Sequence, residues 1–152
     1  MTERVSKKGV WGWMLFDWAS QPFHTLLITF IFGPYFVSTL AADPVSGQAE
    51  WGRMLAVTGL FIAFAAPVLG ALSDAIGPRK PWILAFSVLY VIGAAGLWFA
   101  VPGMDSLLPV LIFFAIGLIG VEFATVFTNA MLPDLGPRGD VGKLSGSGWA
   151  LG

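Results

Sequence analysis

Four long apolar stretches divide this chain so that nearly all of its positive charge falls on alternate connections. They cover roughly residues 11–41, 54–76, 82–101 and 107–132. Each is long enough to cross a hydrocarbon core, which takes about 20 helical residues. With the N-terminus in the cytoplasm, Arg4, Lys7, Lys8, Arg79, Lys80, Arg138 and Lys143 all lie inside, and of the eight basic residues Arg53 alone lies outside. That asymmetry is what the positive-inside rule requires. Asp43, Glu50 and Asp105 then fall in the two outer loops. The expected fold is an all-α, polytopic transmembrane bundle. Its setting is the lipid bilayer of the cell (cytoplasmic) membrane, crossed several times with the N-terminus cytoplasmic.

Composition closes off other classes. The chain is 57% hydrophobic and 11% charged, against about 25% charged residues in soluble domains. A net charge of -1, with no basic run interleaved with aromatics, argues against nucleic-acid binding. The absence of Cys excludes disulfides, iron–sulfur ligation and thiolate metal sites, and a single His excludes a His-rich metal centre. No cofactor motif is present. The charged lead Thr2–Gly9 looks like that of a signal peptide, but the apolar part that follows is too long and contains Asp17, so it reads as a retained first span.

The segment Gly142-Lys143-Leu144-Ser145-Gly146-Ser147-Gly148-Trp149-Ala150-Leu151-Gly152 reads as the start of a fifth helix, from about residue 144. Two turns cannot cross a bilayer. The expectation is therefore the N-terminal part of a longer protein, the alternative being a four-span protein with a Gly-rich tail.

Within the spans, Pro22 removes the N–H that would reach the Trp18 carbonyl, and Pro34 does the same to Phe30, so the first helix should kink. Residues 43–47, Asp-Pro-Val-Ser-Gly, read as an outer loop with turn chemistry throughout. Pro81 suits the first turn of the third span, and Asp105 or Ser106 can cap the fourth. Small residues four apart recur as Ala66 and Gly70, Gly96 and Ala100, Gly120 and Ala124, and Gly142, Gly146 and Ala150. Such ridges let helix backbones approach closely in lipid. Trp11, Trp13, Trp18, Trp51, Trp82 and Trp98 sit near span ends, as an interfacial belt would place them.

Two polar stripes stand out. Asp17, Gln21 and His24 lie within about 60° of one another on an ideal helix. Glu122, Thr125 and Asn129 share a face in the same way, with Glu122 about fifteen residues from the outer end of its span. Ionisable groups inside spans are costly and face a bundle interior or an aqueous cavity. They are the candidates for substrate binding or for coupling to a proton or ion. The structural alternative is a hydrogen-bonded network, with Asp17 reaching back to the membrane boundary.

The sharpest local pattern runs from Gly70 to Lys80: a helix end with Leu72 and the carboxylate of Asp74, Gly77 for the reversal, then Arg79 and Lys80. Asp74 can pair with Arg79 or face a neighbouring helix N-terminus. A charge cluster of this kind can hold one packing arrangement and release it in another. A plain positive anchor would explain Arg79 and Lys80 but not Gly70, Asp74 and Gly77. Catalytic motifs fail: Leu144 stands where a phosphate loop at Gly142-Lys143 needs Ser or Thr, and neither Gly-x-Ser-x-Gly nor His-Glu-x-x-His occurs.

Gly70, Leu72, Asp74, Gly77 and Arg79 resemble the signature between the second and third helices of the major facilitator superfamily, with Pro78 and Ala75 where basic residues are commoner. Phe16-Asp17-Trp18-Ala19-Ser20-Gln21-Pro22-Phe23 resembles the opening of its vacuole effluxer, or "unknown major facilitator", family. Residues 77–82, 132–135 and 145–152 look like that group too. The resemblance implies two six-helix halves with a substrate site between them near the midplane. It makes this chain a partial N-terminal half, packed in life against the remaining helices of the transporter. Fungal members are linked to amino-acid efflux, so a small solute, an amino acid among them, is the implied substrate.

Three function classes follow. The first is part of a secondary transporter working by alternating access. The second is a small four-span scaffold or accessory subunit. The third, an intramembrane enzyme using Asp17, His24 or Glu122, finds no nucleophile–base spacing to support it.

Overall fold

The computed structural model describes residues 7–135 and 141–150. Every regular element among them is helical. α1, Lys7–Leu40, is interrupted; α2 is Pro44–Ile76, α3 Lys80–Gly96, α4 Leu108–Asn129 and α5 Val141–Trp149. The first four are long and apolar enough to cross a membrane. Arg4 and Arg138, two of the charges used for orientation, lie outside the described residues.

The prolines of α1 do more than kink it. After Pro22 the chain passes into π-helical turns over Phe23–Phe30, and after the short α-helical stretch Phe32–Tyr35 it does so again over Phe36–Leu40. Proline supplies no N–H to the preceding turn, and the ladder resumes with i→i+5 bonds such as Ile31 N–H to Leu26 O at 2.8 Å.

α2 begins about ten residues earlier than its hydropathy suggests. Residues 43–47 are not a loop. Asp43 caps the helix, its Oδ1 accepting from the Val45 and Ser46 N–H groups at 2.9 and 3.0 Å, and Pro44 takes the first helical position. Asp, Pro and Ser serve helix starts as readily as turns, which is why local composition misleads here. Glu50 and Arg53 consequently stand on a helix. At the other end Gly77 adopts φ +93°, a conformation that favours glycine, and its N–H bonds the Ser73 carbonyl at 2.9 Å. α3 starts at Lys80 with Pro81 in its first turn. A second positive φ, at Gly103, turns the chain between α3 and α4, and the Ser106 hydroxyl accepts the Leu108 N–H at 3.2 Å.

α3 and α4 form the tightest pair, because glycines remove side chains from their seam. A Cβ on Gly93 would strike the Gly117 backbone, one on Gly96 the Phe113 ring, and one on Gly120 the Phe86 and Tyr90 backbone. In lipid, where apolar burial gains little against acyl chains, such close approach is the main source of helix association. The expected ridges are used selectively. Gly70, Gly142 and Gly146 face open space, and in α5 it is Gly148 that meets the ring of Trp13.

The core centres on Phe114 of α4, fully buried between α1 and α2. Trp51 of α2 meets it edge-on at 4.4 Å between ring centres, Phe23 at 5.3 Å, and Phe32 stacks at 5.9 Å. Trp51 and Trp13 are therefore core residues rather than members of an interfacial belt. Nearer the other end, Trp82 and Phe86 of α3 stack on Phe127 of α4. α2 packs mainly through Trp51, Met54 and Thr58, leaving Val57, Leu60, Phe61, Phe64 and Val68 exposed.

Candidate functional site: an imidazole–carboxylate pair between two spans

Phe23 and Gly117 bring the site together. A Cβ on Gly117 would lie 2.9 Å from the Phe23 ring, which also meets Tyr90 edge-on at 5.4 Å. Phe23 thus seats α1 against α4 at a notch that only glycine leaves open. The next residue, His24, falls in the first wide turn of the π stretch, where Thr29 Oγ1 donates to its carbonyl at 3.0 Å. Its imidazole then reaches α4, five residues beyond the notch. His24 Nε2 lies 3.0 Å from Glu122 Oε1, across 98 positions of sequence. The two side chains remain 34% and 38% exposed.

An imidazole and a carboxylate 3.0 Å apart, on separate spans, form a contact between groups of opposite acid–base type.

The remaining stripe residues are placed less centrally. Asp17 and Gln21 lie on the α-helical part of α1, half-buried, and no described hydrogen bond joins either side chain to His24. The π-helical turns begin at Phe23, between Gln21 and His24. Thr125 lies one turn from Glu122 with its hydroxyl buried and bonded to no protein atom, and Asn129 is exposed at the end of α4.

A second cluster forms at the α2–α3 connection. Arg79 donates from Nη2 to Asp74 Oδ1 at 3.0 Å and from Nη1 to the Ala130 carbonyl at 2.7 Å, and Nη1 stands 3.5 Å from Asp134 Oδ2. The Asp74–Arg79 contact was legible in the spacing; the tie to the end of α4 was not. Ala130 and Asp134 lie more than fifty residues downstream and become neighbours only through the α3–α4 packing. Gly70 and Leu72 sit on α2 without engaging this cluster, and Lys80 is exposed.

At the opposite end an open cleft of about 920 Å³ lies between α2, α4 and the end of α1, with Glu50, Arg53 and Asp105 among its polar lining. It does not reach His24 or Glu122. Among the described residues, no three of His, Asp and Glu gather as a metal site requires.

Four apolar helices of spanning length, with an ionisable pair bridging the first and the fourth, describe a multi-pass membrane protein. The Major Facilitator Superfamily profile matches residues 3–152, and the chain belongs to that superfamily. It is similar to the uncharacterized MFS-type transporter YxiO of Bacillus subtilis (strain 168), 31% identical over 144 residues, covering 93% of this chain and 33% of that protein. It is also similar to monocarboxylate transporter 13 of Rattus norvegicus, 29% identical over 148 residues, covering 94% of this chain and 26% of that protein. The chain thus spans about a third or less of the length of these relatives. They are transporters by name, not enzymes. No solved structure matches.

Proposed function

We propose that this chain carries the coupling pair of a secondary transporter that moves a small organic acid, amino acids included, by alternating access, with its N-terminus on the cytoplasmic side of the cell membrane. The observation that carries the reading is the 3.0 Å contact between His24 and Glu122, made between separate spans and left partly open. A packing scaffold has no use for a half-exposed carboxylate within a span, since such groups are costly to hold there. The substrate class rests on what two kinds of relative share. One is named for monocarboxylates, and the vacuole effluxer resemblance points to amino acids; both carry a carboxylate. In this reading the Asp74–Arg79–Asp134 cluster latches the inner end in one state and parts in the other.

The test uses the intact transporter in proteoliposomes, with radiolabelled L-lactate and L-alanine as probes. Glu122→Gln keeps shape and hydrogen bonding but removes the charge. It should abolish accumulation driven by a proton gradient while sparing counterflow exchange. Should Glu122→Gln and His24→Asn both accumulate either probe like the parent across about pH 5 to 8, where histidine ordinarily changes charge, the pair is structural.

A further inference from the structure

Arg53 is the basic residue that the charge asymmetry leaves unexplained. It lines the cleft of about 920 Å³ beside α2 and α4, together with Glu50, one turn earlier on α2, and Asp105 on the α3–α4 connection. Glu and Arg three apart on a helix ordinarily pair, yet among the described residues none of these three charges joins an ion pair. Further along α2, Thr58 lines the same cleft while only 5% exposed, and no described hydrogen bond engages its hydroxyl. The hydroxyls of Thr125 and Thr128 are sealed in the packing, whereas Thr58 borders open space. A hydroxyl so deeply placed is costly without a partner, so a polar group is expected beside it. The rest of the wall is largely apolar, with Met54 and Val57 from α2 and Leu111 and Ile112 from α4.

The order of these groups along α2 points to what they meet. From the helix start toward mid-span the cleft presents a carboxylate, then a guanidinium about 4.5 Å further along the axis, then a hydroxyl among aliphatic side chains about 7.5 Å beyond that. A glycerophospholipid lying along a span presents the complement in the same order: headgroup ammonium, phosphate, ester carbonyls, acyl chains. Arginine's planar fork suits phosphate, and a primary ammonium donates hydrogen bonds to a carboxylate. An apolar amino acid holds its ammonium and carboxylate on one carbon and has no further acceptor for Thr58. Charges that merely mark the membrane boundary account for Glu50 and Arg53 and leave Thr58 unmet. Val57 and Ile112 are 64% and 48% exposed, which gives an acyl chain access from the side.

We propose that this cleft holds one glycerophospholipid of the adjoining leaflet, of the kind whose headgroup ends in a primary ammonium. Arg53 takes the phosphate, and Glu50 takes the ammonium, with Asp105 adding negative charge to the same lining. The Thr58 hydroxyl donates to an ester carbonyl, and one acyl chain covers Met54, Val57, Leu111 and Ile112. The site stands apart from the His24–Glu122 pair, which the cleft does not reach, so it holds whether or not that pair couples transport.

The test places the intact transporter in phosphatidylcholine nanodiscs with a trace of phosphatidylethanolamine that carries a photoreactive group on one acyl chain. After illumination the labelled residues are mapped. The exposed face of α3, at Leu84, Val88 and Val91, serves as the measure of unselective lipid contact. Label at Val57 and Ile112 should exceed that level by about tenfold or more, the share of a hydrogen bond to a charged group. Unlabelled phosphatidylethanolamine should compete it away, and phosphatidylglycerol, which keeps the phosphate but lacks the ammonium, should compete far less well. Arg53→Gln should lower cleft labelling by about tenfold and Thr58→Val by about fivefold, the share of a neutral hydrogen bond, with α3 labelling unchanged as the sign of an intact fold. Four results overturn the proposal. Cleft and α3 labelled alike means ordinary lipid contact. A silent cleft beside a labelled α3 means that the remaining helices of the transporter fill it. Arg53→Gln labelled like the parent removes the phosphate contact. Displacement of the label by millimolar L-leucine assigns the cleft to a soluble amino acid instead.

Discussion

Replacing Arg79 should cost more stability than breaking its ion pair with Asp74, by a margin the geometry sets. The Arg79 side chain is mostly shielded, at 28% exposed, whereas those of Asp74 and Asp134 are 67% and 74% exposed. An exposed ion pair is worth about 0.2–1 kcal/mol, and the 3.5 Å approach to Asp134 is too long to add much. The 2.7 Å bond to the Ala130 carbonyl is different. It is charge-assisted and meets one of the carbonyls that α4 leaves open at its end, an interaction worth about 1.5–3 kcal/mol. Arg79→Ala should therefore cost about 2–3 kcal/mol, and Asp74→Asn about 0.5 kcal/mol. Arg79→Lys should fall between, because a single ammonium cannot hold the carbonyl and the carboxylate in the same fork. Equilibrium unfolding of the intact protein in mixed micelles measures all three. Equal losses for Asp74→Asn and Arg79→Ala would refute the reasoning, since the ion pair and not the carbonyl would then be holding the corner. Transport should separate the two roles again: Asp74→Asn, with its fold nearly intact, should slow turnover in reconstituted vesicles if the cluster acts as a latch.

Other consequences are as direct. Gly120→Ala would place a Cβ 2.8 Å from the Phe86 carbonyl and the Tyr90 Cα, so α3 and α4 must separate at a cost of about 1–3 kcal/mol in the same unfolding assay. Gly70→Ala meets nothing within 4 Å and should be neutral or stabilising by up to about 1 kcal/mol, the helix-propensity difference. The Ser46 hydroxyl and then its N–H hold the Asp43 carboxyl below its ordinary range, with Val45 N–H adding to this. A lowered folded value means that the cap's contribution is fully present above the ordinary carboxylate range and fades as pH falls through the lowered one. Amide protection at Val45 and Ser46, measured against the intrinsic exchange rate at each pH, should accordingly be high at neutral pH and fall on acidification, and Asp43→Ala should show low protection at both. Because the chain lacks Cys, single cysteines at Gly103 and Gly77 can fix orientation: an impermeant reagent applied to intact cells should label the first and not the second. The reverse pattern would overturn the inside-positive topology.

Much of the architecture was legible because it belongs to single segments. Hydropathy and length mark a span without reference to any other part of the chain. A Gly between a helix end and Pro78-Arg79 marks a reversal, and the positive φ of Gly77 agrees. The ionisable character of His24 and Glu122 is likewise evident from each span alone. Boundaries were harder where one residue type serves two purposes, as Asp43-Pro44 does in capping a helix rather than forming a loop. The interfacial reading of Trp13 and Trp51 failed for a related reason. Proximity to a span end does not say which way a side chain points, and these two point inward.

The sequence by itself determined that the chain is helical, that it crosses a membrane several times, and which polar groups those crossings must accommodate. Each of these follows from local composition and periodicity. Only the tertiary structure decided which groups meet. Glu122 found His24 because Gly117 admits Phe23 and because the wide turns after Pro22 redirect the helix at that point. Asp17 and Gln21, members of the same stripe, make no described hydrogen bond to that pair. Ala130 and Asp134 joined Arg79 because glycines let α3 and α4 lie close enough to bring their ends together. Contacts across fifty to a hundred residues depend on how backbones are spaced and rotated against one another. That spacing is set by glycines on one helix meeting the backbone or rings of another, and no periodicity within either helix records the pairing.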